Sequence, residues 1–172
     1  MGRVLEQLRS RNHVFVSEFR PADVLAGHLR PGAVPRWRRH VGCNLLLADG
    51  AALIAGLISD VATGVTLTKL NEANAYIGVG DGTTAPAHAQ SGLVGGNTLY
   101  KPMDTGYPTW DAATESLDYR ALFLDTYAEF TWAEAVLANG DTGVCLGRLI
   151  FDVALVKPSG VVWAVDYLVH PA

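Results

Sequence analysis

Residues 76–86 read Y-I-G-V-G-D-G-T-T-A-P, and two fold classes part at how that stretch is read. A short apolar run feeds Gly78, Gly80 and Gly82, spaced two apart, with Asp81 between the last two and Pro86 closing the block. As the phosphate turn of an α/β nucleotide-binding fold it would need glycines at a different spacing. It would also need a helix opening at the loop, so that the first N–H groups meet the pyrophosphate. Instead Thr83, Thr84, Pro86 and His88 follow, no helical periodicity appears nearby, and there is no P-loop lysine. The block therefore reads as a β-strand whose glycines permit close backbone approach, running into a tight structural turn at Gly78, Gly80, Asp81, Gly82 and Pro86. Asp81 alone fits the alternating oxygen ligands of a calcium loop, so it is read as a turn residue.

Outward from that block the apolar period is two. Candidate strands are 13–19, 65–70, 75–79, 99–102, 116–124, 129–137, 144–156 and 161–169, rich in Val, Thr, Tyr, Phe and Trp and separated by turn clusters. Lys157-Pro-Ser-Gly160 between two apolar runs predicts a C-terminal hairpin. Residues 43–58 predict a helix in two parts, interrupted near Asp49-Gly50, with Asn44, Asp49 and Asp60 as caps or turn residues. The first eleven residues could form a short helix with Val4, Leu5 and Leu8 on one face. The expected fold class is mainly β: an antiparallel β-sandwich or partly closed barrel with one helical segment and an extended N-terminal arm. There is no internal repeat.

The chain has 172 residues, enough for a real core, and only 17% of them are charged. About 25% is usual for a soluble domain, so part of the surface is expected to be covered by other chains. Residues 45–58 are the most apolar window, but they contain Asp49 and fall short of the roughly 20 residues that span a bilayer, so no membrane contact is expected. No apolar stretch follows the basic and apolar start, so no secretory leader is expected. Cys43 and Cys145 lack CxxC spacing and are expected to be lone core thiols, with a single disulfide as the minority reading.

No catalytic constellation stands out. His13, His28, His40, His88 and His170 are scattered, with no H-E-x-x-H or i,i+4 pair, so neither a metal nor a cofactor is expected. No G-x-S-x-G elbow is present. Glu129 and Glu134 are five apart, which places them on opposite faces of a strand and weakens a paired-carboxylate reading. The dense aromatic set of Trp110, Trp132, Trp163, Tyr100, Tyr107, Tyr119, Tyr127 and Tyr167 suits core packing and an oligomer interface alike.

Charge is unevenly spread. Residues 1–40 hold eight arginines (Arg3, Arg9, Arg11, Arg20, Arg30, Arg36, Arg38 and Arg39) against three acidic residues, while residues 41–172 hold five basic and fourteen acidic. Pro21, Gly27, Pro31, Gly32 and Pro35 punctuate the segment, so 1–40 reads as a basic extended arm and 41–172 as a β-rich body. Arginines separated by prolines and joined by few aromatics, Trp37 among them, suit an acidic protein surface such as a neighbouring copy better than nucleic acid.

In order along the chain come N-L-L-L at 44–47, the glycine block at 76–86, Leu93, Tyr100-Lys101, Tyr119-Arg120, F-T-W-A-E-A-V-L at 130–137 and a closing pair of strands at 150–169. Over about residues 42–170 this resembles small structural proteins of tailed bacteriophages and prophages. The resemblance implies a non-enzymatic virion component on a β-rich domain, a homo-oligomer such as a trimer, assembled in the host cytoplasm. The long basic N-terminus departs from that pattern. A capsid decoration protein with a clamping arm is the first expectation, a tail, baseplate or fibre component the second. A carbohydrate- or receptor-binding β-module using exposed aromatics such as Trp110 is the reading from another class.

Overall fold

The computed structural model describes residues 12–141 and 143–170. The strands are β1 (His13–Phe19), β2 (Val24–Leu25), β3 (His28–Leu29), β4 (Trp37–Cys43), β5 (Leu45–Leu46), β6 (Ala75–Gly80), β7 (Thr98–Pro102), β8 (Thr109–Asp111), β9 (Ser116–Phe123), β10 (Thr131–Asn139), β11 (Cys145–Val156) and β12 (Val162–Val169), with one α-helix, α1 (Ala48–Ser59). One five-stranded sheet runs β4-β1-β12-β9-β8 and the other β5-β11-β10-β6-β7, with β2 and β3 as a separate hairpin. All pairings are antiparallel, and the two sheets form a sandwich rather than a closed barrel.

The core lies between the sheets and centres on Trp132. Its indole stands edge-on to Phe123 and Trp163, each 4.8 Å away between ring centroids. Both buried indole N–H groups are satisfied: Trp132 donates to the Ala128 carbonyl (2.9 Å) and Trp163 to Glu18 (3.2 Å). Alternation on β1 follows from this. Val14, Val16 and Glu18 face inward, while His13, Phe15 and Ser17 lie on the outer face.

Part of each outer face is covered too. On the first sheet, residues 20–36 fold back so that Val24, Leu29 and Ala33 cap Phe19, Leu122, Val162 and Ala164. On the second, α1 packs on β11, and Leu47, Leu93 and Tyr100 pack around Val136, Ala138 and Cys145. That cover explains why β10 is buried at seven consecutive positions instead of alternating.

Several expectations need correction. The arm boundary at residue 40 is not a boundary: β1 and β4 are adjacent strands of the first sheet, and 20–36 caps that same sheet. The prolines break the segment into a 3-10 turn, a hairpin and loops without detaching it, because its sparse apolar residues find a sheet face within the chain. Residues 1–11 lie outside the described residues. The two-part helix is a single helix that starts late: Asp49 and Gly50 sit in its first turn, where an acidic group suits the helix dipole. Gly50 lies against the Leu146 backbone, where a Cβ would collide. Residues 65–70 form no strand; the Thr68 carbonyl is held by the Asn139 side chain at 2.7 Å, and Leu67 packs on Gly56. The turn at 157–160 closes no hairpin, since β11 pairs with β10 and β12 pairs with β1 and β9, so the turn crosses between sheets. Cys43 is exposed, Cys145 is buried, and both are free thiols. No helix among the described residues is long and apolar enough to cross a membrane.

Candidate functional site

The glycine block forms the inner half of an anion cradle, and the anion is part of the chain. Gly78 and Gly80 lie in β6 opposite Val136 and Glu134 of β10. The Glu134 carboxylate accepts backbone N–H groups from Gly82 (3.1 Å), Val94 (3.1 Å) and Gly95 (2.7 Å). Its other oxygen accepts from Arg148 Nε on β11 at 2.7 Å, and both side chains are fully buried. Arg148 also donates to the Thr84 carbonyl (3.0 Å) and to Gln90 (2.9 Å). In the loop that resembles a phosphate cradle the Gly82 N–H is thus engaged by Glu134, joined there by Val94 and Gly95 from further along the chain. A Cβ at Gly80 would stand 2.6 Å from Glu134 Oε1, and one at Gly78 would stand 2.6 Å from the Tyr100 ring. Asp81 follows β6, accepting from the side-chain amide (2.6 Å) and the backbone N–H (3.0 Å) of Asn97, bonds that hold its carboxyl below the usual range. Pro86 lines a shallow hollow beside Cys43 and Leu45.

Three of the arginines that the sequence assigns to a neighbour are paired within the chain. Arg20 pairs with Asp23 (3.2 Å), Arg36 with Glu18 (3.1 Å), and Arg38 with Asp166 (3.4 Å) while lying over the Phe15 ring. Asp166 also takes Arg120 at 2.5 Å. Arg39 lies near the Trp37 ring, and Arg30 lines a cavity of about 530 Å³ on the outer face with Arg38, Arg120 and Asp166. Arg3, Arg9 and Arg11 lie outside the described residues. The acidic partner expected in another copy is, for Arg20, Arg36 and Arg38, a carboxylate of the same chain.

Two surface features remain unabsorbed. On α1, Leu53 is buried, yet Ile54, Leu57 and Ile58 of the helix and Val61 just beyond it are exposed, Ile58 by 82%. At the far edge of the first sheet, Trp110 on β8 is 55% exposed.

The histidines are not all scattered. His13, His40 and Cys43 place one ligand-type atom each within 4.8 Å of the others, with the His170 ring beside His13. His40-x-x-Cys43 is a visible spacing, but three residues along a regular strand point to opposite faces. A bulge makes the difference: Val14 faces Gly42 and Phe15 faces His40, so Val41 is an extra residue and His40 and Cys43 fall on one face. Glu134 and Arg148 were equally hidden, because their partner loops are distant in sequence. Compared with protein-family models, curated proteins and solved structures, the chain gives no match.

Proposed function

We propose that this chain is a non-enzymatic structural subunit of a tailed-phage virion that assembles with copies of itself through the open face of α1. The carrying observation is that face. A helix with one charged residue in twelve, apolar nearly all round, belongs in a protein interior. Here it presents Ile54, Leu57 and Ile58 to solvent, extended by Val61, on a chain with few charges to solvate it. A second copy offers the same patch, and a two-fold contact makes such a patch self-complementary. Because residues 20–36 clamp their own sheet, assembly is assigned to the helix rather than to a lacing arm. The sequence resemblance supports the virion setting, with decoration of the capsid preferred to a tail or fibre position.

Light scattering after size exclusion tests the assembly. The full chain is expected to run as an oligomer and Ile58→Asp as a monomer with an unchanged circular dichroism spectrum. A monomeric wild type, or a variant of unchanged mass, overturns it. Mass spectrometry of purified particles from a strain carrying the gene tests the setting, and absence of the chain from them overturns that part. Exposure of Trp110 favours one second reading, glycan stacking at the β8 edge. A glycan array that binds wild type but not Trp110→Ala supports that reading.

A further inference from the structure

We propose that His13, His40 and Cys43 form a zinc(II) site on the outer face of the first sheet, with His170 able to complete the coordination. His13 Nδ1 lies 3.1 Å from His40 Nε2 and 3.6 Å from Cys43 Sγ. Two imidazole nitrogens on a tetrahedral zinc stand about 3.3 Å apart, and a nitrogen and a thiolate about 3.5 Å apart, from Zn–N near 2.0 Å and Zn–S near 2.3 Å. Both separations from His13 Nδ1 therefore match those around a zinc ion, and the His40 and Cys43 ligand atoms lie within 4.8 Å of one another, a span that small side-chain rotations close.

Hydrogen bonding alone does not account for the arrangement. A ring nitrogen carries either one proton or one lone pair, so His13 Nδ1 makes one good hydrogen bond, yet both His40 and Cys43 converge on it. The His40 and His170 rings stand beside His13, with centroids 5.1 and 6.0 Å from its own. A divalent cation uses all three lone pairs at once. Two imidazoles and a thiolate select a borderline-soft ion and disfavour magnesium or calcium. Binding would release the Cys43 thiol proton, leaving the thiolate as ligand. Asp152 Oδ1 lies beside Gly42, a residue of the bulge that aligns the cluster.

The backbone looks arranged for it. Cys43 is the cross-strand partner of His13, His40 that of Phe15, and β12 lies on the other side of β1 with Leu168 opposite His13. His170 follows β12, and its backbone N–H is fixed by Asn12 at 3.0 Å. A metal here would tie β4 and β1 to the end of β12, at the edge of the sheet where no further strand pairs among the described residues.

The test uses the tag-free full chain, stripped with chelator under reducing conditions and titrated with zinc chloride by calorimetry, and separately with cobalt chloride by absorbance. One zinc per chain is expected. The cobalt form should show a thiolate charge-transfer band with the intense visible bands of tetrahedral coordination. Cys43→Ser and His40→Ala should each weaken zinc binding by about tenfold or more. Because both residues are exposed, the metal-free variants should melt as the metal-free wild type does. Failure of the wild type to bind zinc, equal affinity in Cys43→Ser, or a cobalt spectrum without the thiolate band overturns the proposal.

Discussion

Glu134 and Arg148 face one another across β10 and β11 at 2.7 Å, with neither side chain reaching solvent. An ion pair this deep does not by itself stabilise a fold, because desolvation offsets most of the attraction. Its importance lies in what each partner holds: Glu134 gathers Gly82, Val94 and Gly95, and Arg148 holds Thr84 and Gln90. Together they fasten the 81–97 loop to the second sheet. Glu134→Ala leaves a buried guanidinium without its counter-charge and three backbone donors without an acceptor, so a loss of about 3–5 kcal/mol is expected in urea unfolding. Glu134→Leu combined with Arg148→Leu should lose less than the sum of the two single changes, yet remain below wild type because the backbone donors stay orphaned. Strict additivity would show that the two side chains do not act together.

The glycines of the same corner give a sharper contrast. At Gly82 a Cβ would stand 2.7 Å from the Gly95 backbone nitrogen and press on the Glu134 carboxylate, while at Gly96 nothing lies within 4 Å. Neither glycine has a positive φ, so the difference is steric. Gly82→Ala is expected to cost about 1–3 kcal/mol, and Gly96→Ala to stay within about 0.5 kcal/mol. Thermal melts of the two variants decide it, and equal shifts would remove the steric account.

Local pattern carried the fold class further than it carried the site. The strand at 13–19 was legible to the residue, and β6, β7, β9, β11 and β12 to within a residue or so at each end, because period-two runs of β-branched and aromatic residues are bounded by turn residues. Residues 20–36 were not, since their few apolar groups (Val24, Leu29 and Ala33) have no period and gain meaning only against Phe19 and Leu122. The turn at 157–160 has hairpin chemistry, but pairing partners are chosen by the whole sheet, and that choice places β11 and β12 in different layers. The His13, His40 and Cys43 cluster needed a bulge that inverts strand parity, which spacing rules do not anticipate. Glu134 was legible as a strand residue, while its role depended on a loop some forty residues earlier.

Asp118 makes the pH dependence of stability testable. It sits on β9 near Asp166, one carboxylate oxygen finds no partner among the described residues, and burial, followed by the Asp166 charge, pushes its carboxyl up to about 6. Below the ordinary carboxylate pKa of about 4, Asp118 is protonated both folded and unfolded and adds no pH dependence. As pH rises from there to about 6, the unfolded chain releases its proton while the folded chain retains it, so this group makes stability fall with pH. Above that range the penalty is constant. Asp118→Asn should therefore match wild type near pH 3.5 and exceed it at pH 7.5 by about 1 kcal/mol, after allowance for screening at a partly exposed site. Urea unfolding of both proteins at the two pH values measures the difference. A gain of equal size at both would mean that the asparagine improves packing and that the Asp118 charge carries no penalty.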